Sequence, residues 1–266
     1  MTTDIVRCRN CSLLFPDPFP VPVDAQRLYG DPVAYFSSHD EQRSRAGHRE
    51  LLARAIALSN NSEPALLDVG CGRGDLLSEA RAIGIKDVVG LDFAESMVTF
   101  ARDHYAVTVL QMTAEDYAQS VTDRTFDVVF LNAVIEHVHD PDALMASVAQ
   151  LTHPGSVLFV DTPRDPNLVT FIGNATQRLV GKSSVYNLSP SWPPFHVFGF
   201  SPKTLKLLLD KFGFDLLELH CHTGNTAVPP TPGLGGRSTA WVGTQVTRLG
   251  NVCGLATNMD AWARRR

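Results

Sequence analysis

Several things are missing from this chain of 266 residues, and each absence removes a class of protein. No stretch reaches the roughly 18 apolar residues that a membrane-spanning helix needs, so no membrane partner is expected. The opening MTTDIVRCRN has no apolar run of the secretory kind. There is no excess of basic charge: 23 Lys and Arg face 28 Asp and Glu, a net of −5, which argues against a nucleic-acid partner. The basic end, ARRR, is too short to change that and reads as a solvated terminus. Five scattered cysteines do not make a disulfide framework. A reducing cytoplasm is the expected location. No internal repeat is visible. Cys8 and Cys11, in CRNC, have zinc-knuckle spacing, but no second C-x-x-C exists and a structural zinc takes four ligands. Cys221 and His222 could complete a set only by approaching in the fold.

What is present suits one large α/β domain with insertions, or one domain with a small appendage. Hydrophobic residues make up 44% of the chain, ample for a core. From Pro64 onward, short apolar runs alternate with helical patterns. The runs are 65–69, 87–92, 106–110, 126–132 and 156–163, each reading as a strand buried on both faces. Between them, Met97, Phe100, Ala101 and His104 share one helical face. Asp140 and Pro141 form an N-cap and first-turn pair, as do Ser201 and Pro202, and Gly213 stops the second helix. Strand–helix alternation predicts a doubly wound, mostly parallel sheet with helices on both faces. A helix is predicted around 40–58, another around 237–249, and a final strand at NMDAWAR. Residues 164–200 show no clear period and read as a lid insertion or loop. Residues 222–236 read as a connection.

The stretch LLDVGCGRGD, residues 66–75, carries the chemistry. Gly70, Gly72 and Gly74 let the backbone turn sharply and approach a ligand. The dinucleotide form, G-x-G-x-x-G, has a sixth glycine where this chain has Asp75. Asp75 and Asp68 would repel a pyrophosphate, so the loop suits a phosphate-free ligand with positive charge. Asp92 ends the next strand, where an acid can accept both hydroxyls of a ribose. S-adenosylmethionine meets these terms. A nicotinamide-dependent oxidoreductase is the reading they disfavour.

Together, LLDVGCGRG, VVGLDFAESMV, TAEDY, FDVVFLNAVIEHVHDPDALM and LTHPGSVLFVDTP resemble the class I S-adenosylmethionine-dependent methyltransferases. The likeness is specific over about residues 64–163 and looser through HVFGFSPKTLKLLLDKFGF. It is strongest to the branch holding the ubiquinone-biosynthesis O-methyltransferases and many natural-product and sugar methyltransferases. It implies a seven-stranded Rossmann-like sheet over residues 63–266, with an insertion after strand five at 164–200, preceded by an N-terminal segment and cap helix over 1–62. It also implies roles. Asp68, Gly70, Cys71 and Gly72 would line the methionine part of the cofactor, and Asp92 the ribose. Phe93 and Met97 would pack beside the adenine, with Ala114, Glu115 and Asp116 at its edge. Asn132 and Ala133 would offer backbone groups to the amino-acid end. The product would be S-adenosylhomocysteine.

The acceptor is expected to be a small molecule, with a hydroxyl oxygen placed ahead of carbon or nitrogen. A cyclase or pathway partner that binds the cofactor without transferring its methyl is the competing class. Two histidines suit the base, His137 after strand four and His196 in PPFHVF, and the sequence does not choose between them. Some relatives hold a divalent metal with E-x-x-E-H. Here the pattern reads Ala133-Val134-Ile135-Glu136-His137, one hard oxygen ligand short, so no metal is expected. In the relatives the segment matching YGDPVAYFSSHDEQRSR folds over the cofactor site, which makes Tyr29, Tyr35 and Phe36 candidates either to meet the acceptor or the sulfonium or to pack the N-terminal helix on the sheet. The chain is expected to be a monomer or a homodimer.

Overall fold

The computed structural model describes residues 4–19, 41–121, 123–182, 185, 188, 195–223 and 236–266. Tyr29, Tyr35 and Phe36 lie outside them. A short antiparallel hairpin comes first, β1 (Asp4–Arg7) on β2 (Leu14–Asp17). The turn between them carries Cys8 and Cys11, closed by the Cys8 N–H donating to the Leu13 carbonyl at 2.8 Å. Helix α1 (Glu41–Ser59) leads into the sheet.

The elements that follow alternate: β3 (Leu66–Val69), α2 (Asp75–Ala82), β4 (Val88–Asp92), α3 (Glu95–Tyr105), β5 (Val109–Gln111), α4 (Ala114–Ser120) and β6 (Phe126–Asn132). Then come α5 (Pro141–Gln150), β7 (Thr152–Pro163), α6 (Leu168–Leu179), α7 (Pro202–Lys211), β8 (Phe214–His222), α8 (Gly236–Val252) and β9 (Asn258–Arg265). Seven strands form one sheet in the order β5-β4-β3-β6-β7-β9-β8, parallel except for β9, which runs antiparallel to both its neighbours. This is the expected architecture. The order reverses beside β3, and α/β sheets bind ligands at the carboxyl ends of the strands flanking such a point.

Alternate residues of each strand feed two cores. Leu66, Val128, Phe130, Phe159 and Trp262 pack under α1, α2 and α3. Leu67, Val129, Leu131, Leu158 and Ala263 pack under α4, α5 and α7. The expected caps hold: Asp140 accepts from the Ala143 N–H, and Ser201 and Thr204 form a reciprocal box behind Pro202.

Several elements differ from the sequence reading, among them the β1–β2 hairpin and a β7 that begins at Thr152. Residues 106–108 lie ahead of β5, because Ala106 ends α3 in a left-handed conformation. The insertion contains α6, held by a capping box of Asn167 and Thr170. Strand β8 was not anticipated. It is the sheet's edge and half exposed, so it lacks the continuous apolar run of the inner strands.

Candidate active site

A cavity of about 920 Å³ opens at the carboxyl edge of the sheet, within the range of small-molecule sites. The glycine loop between β3 and α2 forms one wall. Gly70 has φ +67°, and a Cβ there would sit 2.6 Å from Val134 Cγ2, so a side chain is excluded on both counts. Asp92 braces the loop from the end of β4. Its Oδ2 accepts from the Gly72 N–H at 2.8 Å and its Oδ1 from the Ala94 N–H at 2.9 Å.

The wall is acidic and largely dry. Asp68 is buried, and burial, then the neighbouring Asp92 and Asp75, push its carboxyl up to about 8. Asp92 is raised by burial against the pull of its backbone donors. A buried cation would favour the ionised form of both. Asp75 enters this balance differently from its reading as a repulsive charge. Arg73 pairs with its Oδ2 at 2.9 Å and the Tyr105 hydroxyl donates to its Oδ1 at 2.7 Å. With Asp75 paired, the preference for a cationic ligand rests on Asp68 and Asp92, both held toward the neutral form while the site is empty.

Most residues assigned to the cofactor from the sequence meet here. Asp68, Gly70, Cys71, Gly72, Asp92 and Phe93 line the cavity, as do Met97, Ala114, Glu115, Asn132 and Ala133. Asp116 is the correction. It is absent from the lining, and its carboxylate accepts from the Thr113 hydroxyl at 3.0 Å while its N–H donates back to the same oxygen. Its place is the first turn of α4, where negative charge steadies the helix.

The two histidines separate. His137 lines the cavity in the turn after β6. Its Nδ1 lies 3.2 Å from the Phe195 carbonyl and its Nε2 3.7 Å from Glu136 Oε1. Burial lowers its pKa. His196 is buried, is not part of the lining, and packs its ring 5.0 Å from that of His137. The lining also holds residues the sequence reading did not assign, His48 and Asp161 among them. His48 reaches the cavity from α1 with a buried Nδ1 that has no hydrogen-bond partner. Asp161, near the end of β7, lines it too, and His222 lies within 3.7 Å of Asp161 and 3.2 Å of Asp260.

Among the described residues, one group of metal-ligating side chains converges: Glu136, His137 and His196, with donor atoms within 4.8 Å of one another. Glu136 Oε2 accepts from the Thr162 hydroxyl at 2.9 Å, and Oε1 has no hydrogen-bond partner. Burial raises the carboxyl to about 8. The group offers one carboxylate and two imidazoles, a poor match for magnesium, which takes oxygen ligands in an octahedron. Cys8 and Cys11 acquire no third ligand of this kind among the described residues.

Comparison with known proteins matches residues 39–219 to a methyltransferase domain. The chain belongs to this methyltransferase family. The chain is also 34% identical over 151 residues to a ubiquinone biosynthesis O-methyltransferase of Aliivibrio fischeri, covering 55% of this chain and 62% of that one. It thus spans about three fifths of the length of that relative. Two solved structures share the methyltransferase fold. One is a SAM-dependent methyltransferase from Archaeoglobus fulgidus, with TM-score 0.55 and 20% identity, covering 85% of this chain and 95% of that one. The other is a magnesium protoporphyrin IX methyltransferase from Synechocystis with bound S-adenosylhomocysteine, with TM-score 0.56 and 17% identity, covering 91% and 92%.

Proposed function

We propose that this chain transfers a methyl group from S-adenosylmethionine to a small-molecule acceptor, a hydroxyl oxygen first, without a metal. One observation carries the reading: a single cavity is lined both by the acid-braced glycine loop and by His137. The cofactor's cations match Asp68 and Asp92, whose ionised forms a bound positive charge favours. When bound, it supplies a methyl already activated on a sulfonium.

The protein then has to hold the acceptor in line and take its proton. Positioning of this kind supplies several kcal/mol, and about 7–11 in ideal cases. With Nδ1–H donated to the Phe195 carbonyl, His137 keeps its lone pair on Nε2, where it can accept the hydroxyl proton. His196 packs its ring against that of His137, tilted by 58°, and serves as a positioning residue. Asn132 and Ala133 remain assigned to the amino-acid end of the cofactor, and Phe93, Met97, Ala114 and Glu115 to the adenine.

Incubation with labelled cofactor and panels of phenols, alcohols, amines and activated carbons tests the proposal. Methylated product together with S-adenosylhomocysteine is expected, on oxygen. No S-adenosylhomocysteine from any panel would overturn it, and intact cofactor after turnover would favour the cyclase or pathway-partner reading. A second reading, a borderline divalent ion held by Glu136, His137 and His196, is favoured by the buried Oε1 without a hydrogen bond. Activity that survives exhaustive chelation excludes it, whereas loss restored by added ion replaces the metal-free proposal.

A further inference from the structure

Helix α6 is amphipathic in the wrong direction for a surface helix. Such helices turn their apolar stripe to the core. At helical spacing, Phe171, Ile172, Ala175 and Leu179 fall within an arc on the order of 100°. Yet Phe171 is 67% exposed and Leu179 86%, while the buried residue of α6 is Thr170. Helix α8 lies against it, with Gly250 so close to Leu168 that a Cβ would sit 3.2 Å from the Leu168 Cβ. It repeats the arrangement: Trp241 is 65% exposed and Val252 85%, with Leu249 exposed on the same side.

The chain segments that carry these two helices hold basic charge alone. The chain holds 28 acidic residues, but none lies between Asp165 and Asp210, and none between Glu218 and Asp260. Arg178, Lys182 and Arg248 are exposed on or beside the two helices. Solvent-facing apolar residues with a tryptophan, in chain segments that carry Arg and Lys but no carboxylate, match the chemistry of an anionic bilayer surface. Lying on a bilayer needs no spanning length, so the absence of a spanning helix among the described residues is no obstacle.

We propose that α6 and α8 dock this protein on an anionic phospholipid surface. The apolar stripe enters the headgroup boundary and the basic residues meet lipid phosphates. This goes beyond the proposed methyl transfer and does not depend on it.

Flotation of the full chain with vesicles tests it, using phosphatidylcholine alone against phosphatidylcholine with phosphatidylglycerol. Binding to the anionic vesicles alone, weakening with added salt, is expected. Leu179→Glu and Trp241→Glu should each lower the bound fraction at least about fivefold, and Arg178→Glu should do the same through charge. All three positions are exposed, and the thermal midpoint and its rise with S-adenosylhomocysteine should stay at wild-type values. No flotation with anionic vesicles at low salt overturns the proposal. So does equal flotation of wild type and variants. Concentration-dependent self-association that the same substitutions abolish also overturns it, by assigning the face to a second copy of the chain.

Discussion

On the role proposed for Asp68, cofactor binding is a proton-releasing event. With the site empty, its carboxyl titrates at about 8, so near pH 7 it is mostly protonated. The sulfonium and ammonium of the bound cofactor favour the carboxylate, which lowers that value toward the ordinary carboxylate range. Binding at pH 6.5 must therefore expel a proton from a group about 1.5 units below its midpoint. That costs roughly 2 kcal/mol, at about 1.36 kcal/mol per unit, or about a thirtyfold weaker affinity than well above pH 8. Calorimetry in two buffers of different ionisation enthalpy reads the proton directly: close to one should be released per cofactor at pH 6.5 and far fewer at pH 9. The sign for folding is the opposite. A carboxyl raised in the fold destabilises the empty protein as pH climbs from about 4 through 8, so Asp68→Asn should stabilise it at pH 7 while weakening cofactor binding and removing the proton release. Equal heats in the two buffers, or unchanged affinity in Asp68→Asn, would refute the reasoning.

Further outcomes follow from the same geometry. His137→Ala should lower kcat by about 10²–10⁴ with little change in cofactor affinity, while His196→Ala should lower the thermal midpoint as well, because its ring is buried; equal kinetic losses without any stability change in His196→Ala would reverse the assignment. At Gly90 in β4, a Cβ would lie 2.5 Å from Leu77 Cδ1 and 2.7 Å from Cys71 Sγ, so Gly90→Ala should cost about 1–3 kcal/mol, seen as a midpoint lowered by several degrees. Cys71→Ala should recover part of that loss in the double variant, and strict additivity would count against the contact. His222, held between Asp161 and Asp260, has its pKa raised to about 10, chiefly by its hydrogen bonds to those two carboxylates. Its stabilising contribution is complete below about pH 6.5 and is lost as pH rises through 10. Because the residue is half exposed, the loss should be on the order of 1 kcal/mol, checked by urea midpoints of wild type and His222→Ala from pH 6 to 10.5.

The sheet's parallel strands were legible because burial on both faces leaves an unbroken apolar run, as in FDVVFLN, whose interior residues Val128 to Leu131 are all inaccessible. Helices with an N-cap followed by proline were legible because Asp140–Pro141 and Ser201–Pro202 are local chemistry. Strand β8 was hidden because its burial comes mostly from one neighbour, β9, which is more than thirty positions later in the chain. Helix α6 was hidden for a different reason. Its cap is a threonine box without proline, and β-branched residues and Gly173 dilute its helix propensity.

The site divides along the same line. Gly70, Gly72, Asp68 and Asp92 act through backbone turns and strand ends, which spacing encodes. Asp116 sits in the same motif as Ala114 and Glu115, but one helical position decides whether a side chain faces the cavity or caps the helix, and no motif records that rotation. His137 and His196 could not be ranked because they are 59 positions apart. Their contact exists only because the Val197 and Phe198 N–H groups both donate to the Glu136 carbonyl, at 2.7 and 3.1 Å, and draw the segment after the insertion against the β6 turn. That pair of bonds places the Phe195 carbonyl where it can orient His137. On the proposed roles, the distinction between the histidine that meets the acceptor and the one that supports it rests on two backbone hydrogen bonds, which no residue-type pattern can encode.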